Sequence, residues 1–243
     1  RTLQEVEIKG IAKGSVIDRM NPILTQSLND NEFRKAACCN LSESFETNAS
    51  VDVSYSDAVS GAKQIQLLGL AGIYSQMMTE NIPNLQGLAR TYGLEYIPGS
   101  WMESIQISKG TSSVKNGYES ITGQINVEYK KPHNTEKLYL NAYTNSLGKI
   151  EGNFNTAFKL NDNWSTMLLG HAEDMSSEID RNDDSFLDMP KVRQYHLFNR
   201  WKYEKHGKIH AQFGIKALDE ERTGGQVFFN EGEDAIVREA LDI

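Results

Sequence analysis

From Leu138 onward the chain alternates between apolar and polar positions. Leu138, Leu140 and Ala142 fall on one face of an extended segment, with Tyr139, Asn141 and Tyr143 on the other. Ile150, Gly152, Phe154, Thr156 and Phe158 then oppose Glu151, Asn153 and Asn155. Within 164–173, Leu168, Gly170 and Ala172 oppose Leu169, His171 and Glu173. Leu197, Trp201 and Tyr203 oppose His196, Arg200 and Lys202, and Ile209, Ala211, Phe213, Ile215 and Ala217 oppose His210, Gln212 and Lys216. A period of two places successive side chains on opposite faces of a strand, so five antiparallel strands are predicted.

The connectors have their own rhythm. "LNDN" (160–163) and "EKHG" (204–207) are tight polar turns, whereas 176–193 is long and acidic. Short turns at one end, longer loops at the other and alternating strands of about ten residues are the signature of an outer-membrane barrel. Trp164, Trp201 and Tyr203 lie beside the short turns, where an aromatic girdle would sit. A soluble antiparallel sandwich also alternates, so the pattern alone leaves both architectures open. Five strands do not close a wide barrel and open edges are not tolerated in lipid. On the barrel reading the chain is a fragment of a longer protein.

Before Pro132 the texture differs. "NDNEFRKAA", with Asp30 as a cap, and "LSESFETN" predict short helices. "SVDVSY", "AKQIQLLGL", "MESIQISKG" and "QINVEYKK" predict strands. Gly110, Gly117 and Gly123 crowd the approach to the last of these, which ends in Lys130-Lys131-Pro132. The chain therefore divides into an α+β unit over 1–132 and an all-β unit over 133–243.

Composition narrows the function. A net charge of −8 and no basic run interleaved with aromatics argue against nucleic acid. The richest apolar run, "IQLLGLAGIY", is too short for a membrane helix, which excludes helical spans but not a barrel. Nothing resembling a signal peptide precedes Arg1, so the chain reads as mature or trimmed there. Cys38 and Cys39 are adjacent and offer no disulfide framework. No G-x-S-x-G, P-loop or zinc signature is present, and the expectation is a protein that is not an enzyme.

The segment "MESIQISKGTSSVKNGYESITGQINVEYKKP" resembles the end of the plug domain of TonB-dependent outer-membrane receptors. In that family a strand of the type "IERIEVLKGP" is followed by a glycine-bearing turn and then by "GAIGGVINIITK". Upstream, "KQIQLLGLAGIYSQMMTENIPN" (63–84) is similar to the family's "IRGFG…TLVLLDGVPL", with Glu80-Asn81 in place of Asp-Gly and Leu68 in place of Arg. "LSESFETNASVDV" (41–53) is similar to the unit "LSEALRNVPGVxV", without its Pro-Gly. These departures resemble a Bacteroidota-type branch.

"TLQEVEIKG" resembles the TonB box, which assigns Thr2, Leu3, Gln4, Glu5, Val6, Glu7 and Ile8 to TonB binding by β-strand addition. The resemblance implies energised uptake of a scarce ligand across the outer membrane of a Gram-negative bacterium. TonB with its inner-membrane complex, a metal chelate (siderophore, haem, cobalamin or copper) and outer-membrane lipid are the implied partners. A soluble secreted β-rich binding module is the alternative.

Candidate ligand contacts on two plug apices are Tyr74, Gln76, Met77 and Met78, then Arg90, Tyr92, Tyr96 and Trp101. Adjacent methionines suit a soft metal, although core packing uses them as well. The inward wall residues are expected to be Glu151, Asn153, Asn155, His171, Glu173, Arg200, Lys202 and Lys216. No cofactor is required. Asp180, Asn182, Asp184 and Asp188 occupy positions 1, 3, 5 and 9 of a calcium-loop pattern, which makes Ca2+ on this connector the one metal expectation. Ser185 stands there where glycine is wanted, and Lys191 where a glutamate would close the shell.

Overall fold

The computed structural model describes residues 15–18, 25–29, 32–33, 40–46, 48–57, 59–84, 86–87, 89–111, 116, 120–133, 135–205 and 209–227. Among the described residues its N-terminal unit holds nine strands: β1 (Ser15–Asp18), β2 (Thr25–Asn29), β3 (Val51–Tyr55), β4 (Lys63–Leu67), β5 (Leu70–Ala71), β6 (Ser75–Thr79), β7 (Ile82–Pro83), β8 (Met102–Lys109) and β9 (Gly123–Tyr129). They form a six-stranded sheet in the order β1-β2-β8-β9-β6-β7 and a three-stranded sheet β3-β4-β5. Pairing is antiparallel except between β6 and β9.

The core is built where β8 and β9 carry apolar residues at sheet spacing. Ile105, Ile107, Ile125 and Val127 are fully buried against Leu28, Leu41, Phe45, Leu67 and Trp101. The glycines before β9 have separate reasons. Gly110 sits at φ +86°, a left-handed conformation that costs other residues energy. A Cβ on Gly123 would lie 2.1 Å from the Ser108 carbonyl oxygen, so β8 and β9 meet there only without a side chain. Gly117 lies outside the described residues.

Of the two expected helices, the second is shorter than expected and the first is described only in part. Glu32 and Phe33 are helical, and the rest of "NDNEFRKAA" apart from Asn29, the last residue of β2, lies outside the described residues. "LSESFETN" forms one 3-10 turn, Glu43–Phe45, because Asn40 captures the local donors. Its Oδ1 accepts from Ser42 Oγ at 2.6 Å and from the Glu43 amide at 3.2 Å, and its carbonyl accepts from Ser44 Oγ at 3.0 Å. Short polar side chains of this kind compete with helix propagation. The described residues of the unit also include two further 3-10 turns (Gly72–Tyr74 and Gly99–Trp101) and a short helix, α1 (Ala89–Tyr92).

The five alternating runs are five strands of one meander: β10 (Leu138–Thr144), β11 (Ile150–Lys159), β12 (Trp164–Met175), β13 (Lys191–Lys205) and β14 (Ile209–Thr223). The turn before β12 is organised by Asn161 Oδ1, which accepts the amides of Asn163 and Trp164, each at 2.9 Å. Pro132 lies in the turn between β9 and β10.

This wall is inverted relative to a soluble sheet. Its outer face exposes Leu138, Leu140, Ile150, Phe158, Leu197, Phe213 and Ile215, while Glu151, Asn153, Asn155, His171, Glu173, Gln194, His196 and Arg200 are buried beneath the N-terminal unit. An apolar band of this extent marks a face built for contact with something other than water. Trp164 packs against Tyr203 at 4.9 Å and Trp201 at 6.4 Å, and Trp201 stacks on Phe213, all beside the short turns.

Tyr129, the last residue of β9, is buried, and that burial pushes its phenol up to about 12. The unfolded chain releases this proton near pH 10 while the folded one holds it, so stability is complete below pH 10 and lost as pH rises toward 12. Urea melts of the complete protein between pH 9 and 12 should show this decline, and Tyr129→Phe should flatten it.

Candidate functional site

The chemistry of the molecule concentrates where the N-terminal unit meets the wall. Trp101 anchors the contact from the 3-10 turn before β8. It is fully buried, stacks on Phe198 of β13 at 6.0 Å, and meets His196 and Tyr129 edge-on. Beside it Ser100 Oγ donates to Asn153 Oδ1 at 2.8 Å, and Asn155 Nδ2 donates to the Ser100 carbonyl at 2.9 Å. Lys216 Nζ donates to the Tyr96 carbonyl at 2.6 Å and lies over the Trp101 ring at 5.5 Å.

Toward the short-turn end Arg200 is the main fastening. It is 3% exposed, donates to the Tyr129 and Lys130 carbonyls at 3.4 and 3.0 Å, and pairs with Glu80. Glu80 reaches it from a two-residue hairpin turn between β6 and β7, in which Glu80 and Asn81 have φ of +53° and +62°. Both central residues of such a turn require positive φ, a conformation that suits Asn and is strained for Glu. Asn81 is held by its amide to Asn126 Oδ1 at 2.8 Å, and the Glu80 amide donates to Val127 O at 2.9 Å. Lys202 Nζ contacts His133 Nδ1 at 3.2 Å in the linker to the wall.

Higher on the wall runs a buried polar array. His171 Nδ1 donates to Asn153 Oδ1 at 2.9 Å, Asn153 Nδ2 donates to Glu151 at 2.7 Å, and Gln194 bridges Glu173 and His196 at 2.7 and 3.0 Å. Lys149 pairs with Glu173 at 3.1 Å. Above it a cavity of about 390 Å3 opens between the two units, lined among others by Lys63, Glu95, Lys149, Glu173 and Arg222. All eight residues expected on the inward face do point inward, seven of them buried or half-buried; Lys216 is exposed in this five-stranded wall.

The candidate ligand residues separate. Tyr74 is partly exposed, whereas Gln76, Met77 and Met78 are buried in β6, which is flanked by β9 and β7. Met78 packs in the core, while Met77 lines a cavity of about 280 Å3 together with Arg90. Trp101 is closed off by Phe198, Tyr129 and His196. Arg90 Nη1 donates to the Gly72 carbonyl at 3.0 Å. Tyr92 lies under the Arg222 guanidinium at 5.1 Å, and burial, reinforced by Glu220, pushes the Tyr96 phenol up to about 12. Arg90, Tyr92 and Tyr96 therefore brace one segment. Arg222, Glu95 and Ser100 escaped the sequence reading, although Arg222 keeps the even-numbered parity of Lys216 along β14. Thr2 to Ile8 lie outside the described residues.

In the acidic connector the carboxylates serve the backbone. Asp180 accepts the amides of Asp184 and Ser185 at 3.2 and 3.0 Å, Asp184 accepts that of Phe186 at 2.8 Å, and Asp188 that of Arg181 at 3.0 Å. Ser185 adopts φ +69°, the conformation for which glycine is wanted at that position. Among the described residues no group of three or more His, Cys, Asp or Glu converges as a metal would need, so the calcium expectation finds no assembled ligand set.

Residues 18–124 match the family described as TonB-dependent Receptor Plug Domain. No curated protein matches the chain. Among solved structures, the chain is similar to the pyoverdine outer membrane receptor FpvA of Pseudomonas aeruginosa, at 14% identity and TM-score 0.66, covering 85% of this chain and 29% of that one. It is similar to the ferric-catecholate import receptor Fiu of E. coli at 14% identity and TM-score 0.65, over 83% and 28%. The siderophore receptor PirA of Pseudomonas aeruginosa aligns at 18% identity and TM-score 0.60, over 84% and 37%. The chain thus spans 28% to 37% of the length of these receptors.

Two outcomes test the site. Arg200→Ala leaves Glu80 and two carbonyls without their cation, a loss of about 3–5 kcal/mol for a buried pair broken on one side. The N-terminal unit of the complete protein should then unfold at lower urea than the wall, read by tryptophan fluorescence. Asp180→Ala should speed proteolysis of the 176–190 connector in chelator as well as in calcium, because the lost acceptors are those of the Asp184 and Ser185 amides.

Proposed function

We propose, from the match of residues 18–124 to the family described as TonB-dependent Receptor Plug Domain, that the chain is the plug and first wall strands of an outer-membrane receptor that takes up a scarce metal chelate by energised transport. The observation that carries this is the inverted wall, apolar outside and polar inside, with the plug seated on its polar face. A soluble secreted module gains nothing from exposing Leu138, Leu140, Ile150, Phe213 and Ile215 together, whereas lipid is the solvent such a face fits. A siderophore-type chelate is the ligand class favoured by the receptors of similar fold.

In this reading the long connector 176–190 faces the exterior and the short turns face the periplasm, where the Trp164–Tyr203 cluster marks the interface. The ligand binds above the plug, beside exposed Tyr74 and the cavity near Lys63 and Arg222. TonB takes hold of Thr2 to Ile8 by strand addition and pulls. The plug yields because its wall contacts are largely hydrogen bonds, which water replaces as they break, so that each contributes only about 0.5–1.5 kcal/mol net.

Deleting Thr2 to Ile8 from the complete receptor should abolish energised uptake of a ferric siderophore while leaving its equilibrium binding unchanged. Uptake at the undeleted rate would refute the assignment of the box.

A further inference from the structure

The cavity between plug and wall is roofed by three segments that are distant in sequence and tied to one another. The first is the plug turn between β3 and β4, the second the connector 176–190, and the third the end of β14 at Arg222. Arg222 joins them. Its Nη1 donates to the Ser60 carbonyl at 2.9 Å, its Nη2 pairs with Glu95, and its Nε donates to Glu220 at 2.7 Å, while its plane covers the Tyr92 ring. One guanidinium thus holds two separate plug segments, a role suited to its five fixed donors.

The stretch after Arg222 is in turn zipped to the connector. Leu187 N donates to Gly225 O at 2.8 Å, Val227 N donates to Ser185 O at 2.9 Å, and Phe186 bridges Gln226. The connector closes the ring by laying Pro190 on Gly61, where a Cβ would sit 2.8 Å from the proline ring. Gly224 presses as closely on Val59, where a Cβ would meet the Val59 carbonyl. Contacts this tight do not slide independently, because close-packed interfaces have discrete arrangements rather than continuous ones.

We propose that Arg222 is a latch that couples the connector 176–190 to the plug, so that the roof of the cavity opens only when both move. The placement of this roof on the ligand side rests on the receptor reading; the coupling itself does not. Glu95 belongs to the plug, yet its removal loosens the connector through Arg222.

The test uses the complete receptor in outer-membrane vesicles and reads the initial rate of trypsin cleavage after Arg181, an exposed connector residue. Glu95→Ala and Arg222→Ala should each raise that rate by about fivefold or more, the lower end of typical coupling. Their combination should raise it no further than the larger single effect. Coupling is reciprocal, so Pro190→Gly should raise maleimide labelling of a thiol placed by Ser60→Cys, with Cys38 and Cys39 replaced by Ser. This arm leaves the plug's charges intact and stands if the alanine variants misfold. An unchanged cleavage rate in a folded Glu95→Ala receptor, a double variant equal to the product of the singles, or unchanged labelling overturns the latch. None of these readouts depends on transport, so the latch and the receptor reading fail separately.

Discussion

Everything in this chain depends on a domain being held inside a wall whose inner face is polar. An apolar interface of the same size would stabilise the contact through area removed from water, at about 25 cal/mol per Å2, and would resist separation in proportion. Here apolar burial forms one patch, the stack of Trp101 on Phe198 with Tyr129 at its edge, joined in the core by Ala157, Met167 and Leu169 of the wall. Around it the contacts are polar and stand at three heights: Arg200 and Lys202 toward the short turns, Asn153, Asn155 and Lys216 in the middle, and Arg222 at the far end. The single anchor fixes position, while the polar contacts fix orientation and can be exchanged for water one at a time.

The same constraint explains the strained backbone of the β6–β7 hairpin. Glycine at either central position would relieve it, yet the chain has Glu80 and Asn81. Each side chain compensates by a long-range bond, Glu80 to Arg200 on the wall, and Asn81 to Glu128 Oε1 at 3.3 Å on β9. The turn is therefore held from two sides: Asn81 is compensated within its own unit by β9, and Glu80 across the interface by the wall, so docking reinforces the strained conformation.

Alternation made the wall legible, because a period of two is a local property and the five strands keep it. It also assigned the inward face, from Glu151 to Lys216. The plug strands were legible in part, since β8 and β9 carry apolar residues at sheet spacing. What sequence did not reveal was set by non-local pairing. Met77 and Met78 are open in sequence to a soft-metal surface or to core packing, and the parallel pairing of β6 with β9 buries them. Trp101 looks like an apex residue until Phe198, nearly a hundred positions away, covers it. Asp180 and Asp184 keep the spacing of cation ligands, but whether a carboxylate accepts from an amide or awaits an ion is decided by loop conformation.

The order of contacts along the chain bears on how such a plug could leave. In the proposed mechanism force enters from the N-terminal side and reaches β1 first. This strand is four residues long, lies at the sheet edge, and leaves Val16 and Ile17 exposed. Peeling an edge strand breaks its ladder bonds in sequence, so β1 and then β2 yield before any element tied to the wall. Beyond them stand β8, β9 and β6, which carry Trp101 beside β8, the carbonyl of Tyr129 bound by Arg200, and Glu80 just after β6. These share their load across several bonds and one buried ring. Gradual withdrawal of the N-terminal strands is therefore mechanically easier than ejection of the whole domain, and the fold itself sets that preference by placing a short edge strand nearest the pull.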